Sequence, residues 1–172
     1  RFYNNIFVQR WPADEVSIRS DSEDVFYTEN RQVGTHVFDE YPTYEEWISY
    51  FDMDSDVPDM KKIEPYHFRS LPVWVDGNAY LAGSLSCRKE AHKFADSDSA
   101  VRIDLKEQDG KLVLETNLYD LIKDFRVQMI SSDTLGMAFE PEERFENPDG
   151  SDILFNTDYL GNHRDTTVIP GP

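Results

Sequence analysis

Apolar residues along this chain gather in short runs separated by polar, acidic stretches. The run Phe2-Tyr3-Asn4-Asn5-Ile6-Phe7-Val8 is aromatic and β-branched around two asparagines, which predicts short strands around a turn. Asp76-Gly77-Asn78-Ala79-Tyr80-Leu81 has the same grammar. In Asn5-Ile6-Phe7-Val8 and Asn78-Ala79-Tyr80-Leu81, an asparagine precedes a small or branched apolar residue, an aromatic and an aliphatic. Asparagine tolerates the left-handed backbone of a sharp turn, and its amide can bond to the amide stacked beside it. A turn asparagine followed by a short apolar strand is what one coil of a parallel β-helix requires. Two copies leave open the simpler reading of two unrelated strands.

Between them lies a long insertion, residues 9–72, acidic and irregular at first, as in Asp21-Ser22-Glu23-Asp24. Its later part predicts a helix from Thr43 to about Phe51. Thr43 stands as N-cap with Glu46 three residues on, a capping box, and Tyr44, Trp47, Ile48 and Phe51 share one face. Such an aromatic stripe is read as core packing before it is read as a ligand platform, so Trp47 is expected to be substantially buried. Beyond Arg88 the texture changes. Val101 to Leu105 and Leu112 to Thr116 alternate apolar and polar around Asp109-Gly110, a hairpin with one buried face. Phe125 to Ile130, Gly136 to Phe139 and Ile153 to Phe155 read as further short strands, the last entered through the turn Asn147-Pro148-Asp149-Gly150. This spacing predicts a small antiparallel sandwich or a sheet capping the end of the β-helix.

Charge narrows the partners. The 172 residues carry 34 acidic and 17 basic side chains, a net charge of −17. That repels a nucleic-acid backbone and disfavours anionic membrane surfaces, whereas a neutral or cationic ligand, such as a neutral sugar, suffers no such penalty. The charge also has the plainer reading of conferring solubility alone. Aromatics make up 13% of the chain, enough large apolar area for a folded core of one or two domains. Cys87 is the single cysteine, so an internal disulfide is ruled out. Arg88 and Lys89 beside it would favour the thiolate, yet no base partner is evident and a nucleophilic role is not assigned. No run approaches the roughly 18 apolar residues of a membrane helix, and no signal peptide is recognisable. The localisation reading leans cytoplasmic with secretion left open. The chain opens without methionine and already in strand-like sequence, which we read as a piece of a longer chain.

Metal and catalytic motifs are sparse. Asp52-Met53-Asp54-Ser55-Asp56 begins like an EF-hand loop, but Val57 replaces the turn glycine and Ile63 the bidentate glutamate. Only loosely bound calcium remains as an alternative to a solvated acidic loop, and no cofactor is assigned. His36, His67, His92 and His163 lack zinc-ligand spacing. A glycosidase carboxyl pair is defined by distance in space and cannot be chosen by spacing among 34 acids. The segment most like a binding wall is Glu64 to Asn78, which concentrates Tyr66, His67, Phe68, Trp74 and Asp76 just before a strand. Sugars bind by stacking on aromatic faces while planar polar groups take their hydroxyls. Tyr66, His67, Trp74 and Asp76 are therefore the candidate sugar-binding residues; the competing reading packs Tyr66, Phe68 and Trp74 onto the helix.

Several stretches resemble the C-terminal part of bacterial right-handed parallel β-helix proteins of the β-xylosidase type. They are Arg1 to Val8, Leu71 to Leu81, Phe145 to Ser151, Thr157 to Gly161 and Pro170-Gly171-Pro172. The first is generic for β-helices; the later ones are more particular to this group, and together they run from end to end. The resemblance implies a mainly β fold. Residues 1–88 would form the last β-helix coils with the 9–72 insertion, and residues 89–172 an antiparallel β-rich C-terminal domain. It implies a glycoside hydrolase acting on neutral β-linked oligosaccharides such as xylo-oligosaccharides. The catalytic Asp and Glu of the family lie upstream of the first matched stretch, so no catalytic residue is carried over and this chain alone is expected to be inactive. Its partners would be a neutral oligosaccharide, the rest of its own longer chain and, optionally, a second copy in a homo-oligomer. The alternative is a non-catalytic module, carbohydrate-binding or oligomer-forming.

Overall fold

A computed structural model describes residues 1–10, 32–50, 61, 64–66, 69–139 and 141–171. The chain is mainly β. Strands β1 (Phe2–Tyr3) and β2 (Ile6–Val8) are followed by helix α1 (Tyr44–Ile48), then β3 (Val75–Asp76), β4 (Asn78–Leu81) and β5 (Lys93–Asp96). Strands β6 (Ile103–Gln108) and β7 (Lys111–Thr116) lead to helix α2 (Leu118–Leu121), β8 (Val127–Gln128), helix α3 (Ser132–Leu135) and β9 (Thr167–Val168).

The first half is built from parallel pairs. β1 lies on β3 with Phe2 opposite Val75, and β2 lies on β4 with Ile6 opposite Ala79 and Val8 opposite Leu81. The offset is the same in both sheets, so the whole 2–8 segment stacks in register on 75–81. β5 joins the other side of β4, Asn78 opposite Lys93. The parallel stack therefore continues past residue 88, where the two halves were divided on sequence.

The repeated asparagines meet as the pattern suggests. The backbone N–H and side-chain Nδ2 of Asn5 both donate to Asn78 Oδ1 at 2.9 Å. The left-handed turn itself falls one residue earlier, at Asn4 (φ 57°) and Gly77 (φ 71°). The expectation that Asn5 and Asn78 supply the turn backbone is corrected: they supply the amide contacts, and their predecessors make the bend. A Cβ at Gly77 would lie 2.5 Å from Asn4 Oδ1, so both φ and space demand glycine.

At the next level the asparagine is replaced by a carboxylate. Asn78 N–H and Nδ2 donate to Glu90 Oε1 at 3.0 and 2.8 Å, repeating what Asn5 does to Asn78. The other oxygen, Glu90 Oε2, accepts from Tyr80 Oη at 2.5 Å. Thr35 Oγ1 lies 2.6 Å from Tyr80 Oη and accepts the Cys87 N–H at 2.8 Å. The chain of donors thus runs from Cys87 through Thr35 and Tyr80 to Glu90. Thr35, Asn78, Tyr80, Cys87 and Glu90 are all buried. Burial first, and donation to Glu90 second, push the Tyr80 phenol well above its ordinary value, so it stays a donor.

Strand β4 is buried along its whole length. Ala79 and Leu81 join Ile122 in the apolar core, lined by Ile6, Val8, Phe94, Leu118 and Leu121. On the other face Tyr80 stacks on Phe7 with centroids 5.2 Å apart. Near-continuous burial on both faces is the rule for parallel strands.

The second half departs from the expected sandwich. Among the described residues its sheets are two-stranded, β6 with β7 and β8 with β9, supplemented by isolated bridges such as Met137 with Arg144 and Ser131 with Leu154. The Asp109-Gly110 turn has both residues at positive φ, 51° and 73°, the type I′ geometry that Asp-Gly favours. The hairpin lacks the buried face expected of it: Leu105, Leu112 and Leu114 are 65%, 72% and 55% exposed. Alternation marks an apolar face; it does not supply a cover. Helices α2 and α3 were not foreseen, each being too short for a periodic signal. No helix among the described residues is long and apolar enough to cross a membrane.

Glu90→Ala is expected to destabilise the chain by about 3 kcal/mol, because it strands the buried Asn78 and Tyr80 donors. Glu90→Gln, which keeps one acceptor toward Asn78, should cost about 1 kcal/mol. Denaturant titration of both variants checks this, and equal losses would mean that volume rather than hydrogen bonding matters there.

Candidate functional site

The site region begins with the run into β3. Phe2 N–H donates to the Trp74 carbonyl at 2.8 Å, and Val73 N–H to the Pro42 carbonyl at 3.3 Å. These bonds hold Trp74 between β1 and the entrance of α1. Helix α1 starts with the expected capping box: Thr43 Oγ1 accepts Glu46 N–H at 3.2 Å and Glu46 Oε2 accepts Thr43 N–H at 2.7 Å. Lys89 Nζ also meets Glu46 Oε2 at 2.7 Å. That contact, with the Thr43 amide, holds the Glu46 carboxyl below its usual range.

Aromatic side chains from three segments converge here. Tyr44 stacks near Trp74 at 6.3 Å, Trp47 meets Phe139 edge-on at 4.7 Å, and Phe139 lies 6.2 Å from Trp74. The Arg1 guanidinium sits 4.6 Å from the Trp74 ring centre and 5.1 Å from that of Phe145. Trp47 is partly buried. Phe51 lies outside the described residues.

A cavity of about 570 Å³ opens beside this cluster, lined by Arg1, Tyr3, Tyr44, Glu45, Trp74, Met137, Phe139 and Glu142. A second, of about 280 Å³, shares Tyr3, Tyr44, Glu45 and Trp74 with it and adds Asp76 and Lys89. A third, of about 410 Å³, shares Tyr3 and Asp76 and adds His92 and Arg126. Tyr3, opposite Asp76 in register, is common to all three. The surface thus grades from an aromatic end at Trp74 to a polar end at Asp76, whose Oδ1 accepts the His92 N–H at 3.2 Å.

Of the residues chosen from sequence, Trp74 and Asp76 are brought to one cavity. Tyr66 ends the short 3-10 turn Glu64–Tyr66; its side chain, and His67, lie outside the described residues. Tyr3, Tyr44, Glu45, Phe139 and Glu142 were missed. Tyr44 had a signal, its place on the aromatic stripe, but was assigned to packing; it is 38% exposed, stacks near Trp74 and lines the cavity. Glu45, Asp76 and Glu142 are exposed. They can accept hydrogen bonds from hydroxyls.

The calcium reading at Asp52 to Asp56 falls outside the described residues, and among those described no group of three His, Cys, Asp or Glu is placed to hold a metal ion. Cys87 is buried, and desolvation pushes its thiol up despite the basic neighbours, opposite to what a nucleophile needs.

No family model and no curated protein matches the chain. One solved structure does, that of XylC in complex with xylose, over 99% of this chain with a TM-score of 0.72 and 24% identity. The chain shares its fold with part of XylC. It spans about a quarter of that protein's length, 24%.

Two measurements test the packing at Trp47 and the turn at Asp158. Trp47→Ala should cost about 2 kcal/mol in chemical denaturation, less than the 3–5 kcal/mol of a fully buried aromatic; a loss at the upper end would place Trp47 in the core. The Asp158 carboxyl, which accepts from Leu160 N–H, Asn162 N–H and Asn162 Nδ2, is held below its usual range, chiefly by Asn162. A depressed folded-state value means that its contribution is present above the unfolded pKa and lost as pH falls through the folded one. A carboxyl-carbon NMR titration should therefore show a midpoint below 3.8, the ordinary value; a midpoint above it contradicts the turn geometry.

Proposed function

We propose that this chain is the C-terminal part of a carbohydrate-active protein, a glycoside hydrolase acting on neutral β-linked oligosaccharides such as xylo-oligosaccharides. The parallel stack of β1 to β5 is read as the last coils of a right-handed parallel β-helix. The region beyond it is read as a β-rich cap, the division between the two parts falling after β5 instead of at residue 88. The observation carrying this reading is the fold likeness along 99% of the chain to a protein solved with xylose. The cavities around Trp74 support it chemically: aromatic faces for the C–H surface of a sugar ring, exposed carboxylates for its hydroxyls, in a chain whose charge of −17 favours uncharged ligands over anions.

In this reading Trp74 and Asp76, with Tyr66 and His67 in the segment just before them, form a wall of the sugar site. The two carboxyl groups of hydrolysis lie on a part of the longer protein outside these 172 positions. One must be an acid kept protonated near neutral pH, within about 5–9.5 Å of its partner. What this chain contributes is orientation of the sugar.

A non-catalytic carbohydrate-binding module is the second reading. It is favoured by Phe155 and Tyr159, 55% and 88% exposed, which flank a fourth cavity of about 390 Å³ that also meets Tyr3.

A nitrophenyl-glycoside panel on the longer protein should show turnover of a neutral β-glycoside, with none from the 172-residue chain alone. Trp74→Ala in the longer protein should lower kcat/KM by about tenfold, the effect of one lost stacking contact of about 1.4 kcal/mol. Turnover by the isolated chain overturns the placement of catalysis. An unchanged kcat/KM in a folded Trp74 variant removes Trp74 from the site. Sugar binding without hydrolysis by the longer protein selects the second reading.

A further inference from the structure

Among the described residues, the hairpin β6–β7 has one face without a covering neighbour. By their pairing, Leu105 lies opposite Leu114 and Glu107 opposite Leu112, so Leu105, Leu112 and Leu114 share one side, with Ile103 at its base. All three leucines are exposed. Each strand pairs only with the other among the described residues, which leaves the outer edge of β7 open. An exposed apolar face beside an open edge is a template for another strand.

We propose that β7 pairs antiparallel with β7 of a second copy across a twofold axis at Val113, joining two hairpins into one four-stranded sheet. The sequence of the strand supports that occupant. Centred on Val113, antiparallel pairing sets Leu112 opposite Leu114 of the second copy, and Lys111 opposite its Glu115, each twice by symmetry. Apolar meets apolar on one face and cation meets anion on the other, with no mismatched pair. The same operation on β6, centred on Leu105, sets Ile103 opposite Glu107, an apolar residue against a charge.

The hydrogen-bonding parity agrees. In a two-residue type I′ hairpin the closing pair, here Gln108 with Lys111, is hydrogen-bonded, and such pairs alternate along the ladder. Lys111, Val113 and Glu115 therefore bond inward, while Leu112 and Leu114 turn their backbone groups outward. Pairing about Val113 sets these two outward residues opposite each other. Glu115 is already positioned on its face by Lys106 Nζ at 2.5 Å.

Charge points to the same place. Two copies of a chain of −17 repel over most of their surface. Between Arg102 and Thr116, Arg102, Lys106 and Lys111 nearly balance Asp104, Glu107, Asp109 and Glu115, so the hairpin is where like copies approach at least cost. The contact is small beside the roughly 800 Å² per partner of a stable complex. Association is therefore expected to depend on concentration, half-complete in the micromolar range, on the order of 1–100 µM.

Sedimentation velocity on the longer protein carrying this chain, over that range, provides the test. The mass should rise with concentration, and Leu112→Lys with Leu114→Lys should hold it at the lower value. Lys111→Glu alone should weaken association at least about tenfold, and Lys111→Glu with Glu115→Lys, which restores opposite charges across the axis, should recover it. A mass that does not change with concentration, or that survives the double lysine variant, overturns the proposal. So does failure of the paired charge reversal to rescue. A fall in melting temperature at unchanged mass would show the leucines to be covered within one copy, which also overturns it.

Discussion

The carboxylate of Glu90 is the contact on which the arrangement of this chain rests. In a stack of asparagines each amide accepts from the level below and donates to the level above, so the ladder requires another asparagine at every turn. Asn5 and Asn78 obey this. At the following level the register position belongs to Lys93, and Glu90 supplies the acceptor in its place. A carboxylate accepts and has nothing to pass on. It therefore ends the ladder while leaving no buried donor of Asn78 unpaired. Its second oxygen collects Tyr80 and, through Thr35, the Cys87 amide, so one residue of the insertion, Thr35, is tied to the same point.

That anchoring explains how the site survives a long insertion. Segments 2–8 and 75–81 keep one register in both sheets although the chain wanders between them. The entropy of closing such a loop grows only slowly with its length, whereas a one-residue slip would turn Ala79 and Leu81 out of the core and bring Asn78 and Tyr80 into it. Because the register is held, Tyr3 stands beside Asp76, and Trp74 is fixed one step ahead of β3. The insertion then folds back through α1 and lays Tyr44 against Trp74. Gly77 makes the bend possible with a backbone that a side chain would block.

Features that depend on near neighbours in the sequence were legible in it. The capping box at Thr43, the Asp109-Gly110 turn and the shared grammar of the two asparagine segments all express short-range chemistry, and each is found. Features that depend on what packs against them were not. The leucines of β6 and β7 alternate as a core-facing strand does, yet nothing among the described residues covers them, because periodicity records which face is apolar and is silent about a partner. Trp47 lies on the apolar stripe and meets Phe139, a partner far along the chain, edge-on. Trp74 was recognisable from its surroundings. Tyr3, Phe139 and Glu142 reach the same cavity from distant segments, and no local pattern announces such convergence.

The same charge that limits what the surface attracts also bears on where it can be touched. With twice as many acids as bases, most of the surface repels anions and other copies of itself, and each close approach of a carboxylate to like charge costs more as water is excluded. Two regions relax this. At Trp74 the Arg1 guanidinium lies over the indole ring, a cation set among the acids. Along the hairpin, cations and anions alternate almost one for one, and Lys106 neutralises Glu115. The leucines of the hairpin thus lie where the chain's own cations nearly balance its acids, whereas the aromatic cavity sets one cation, Arg1, against Glu45 and Glu142.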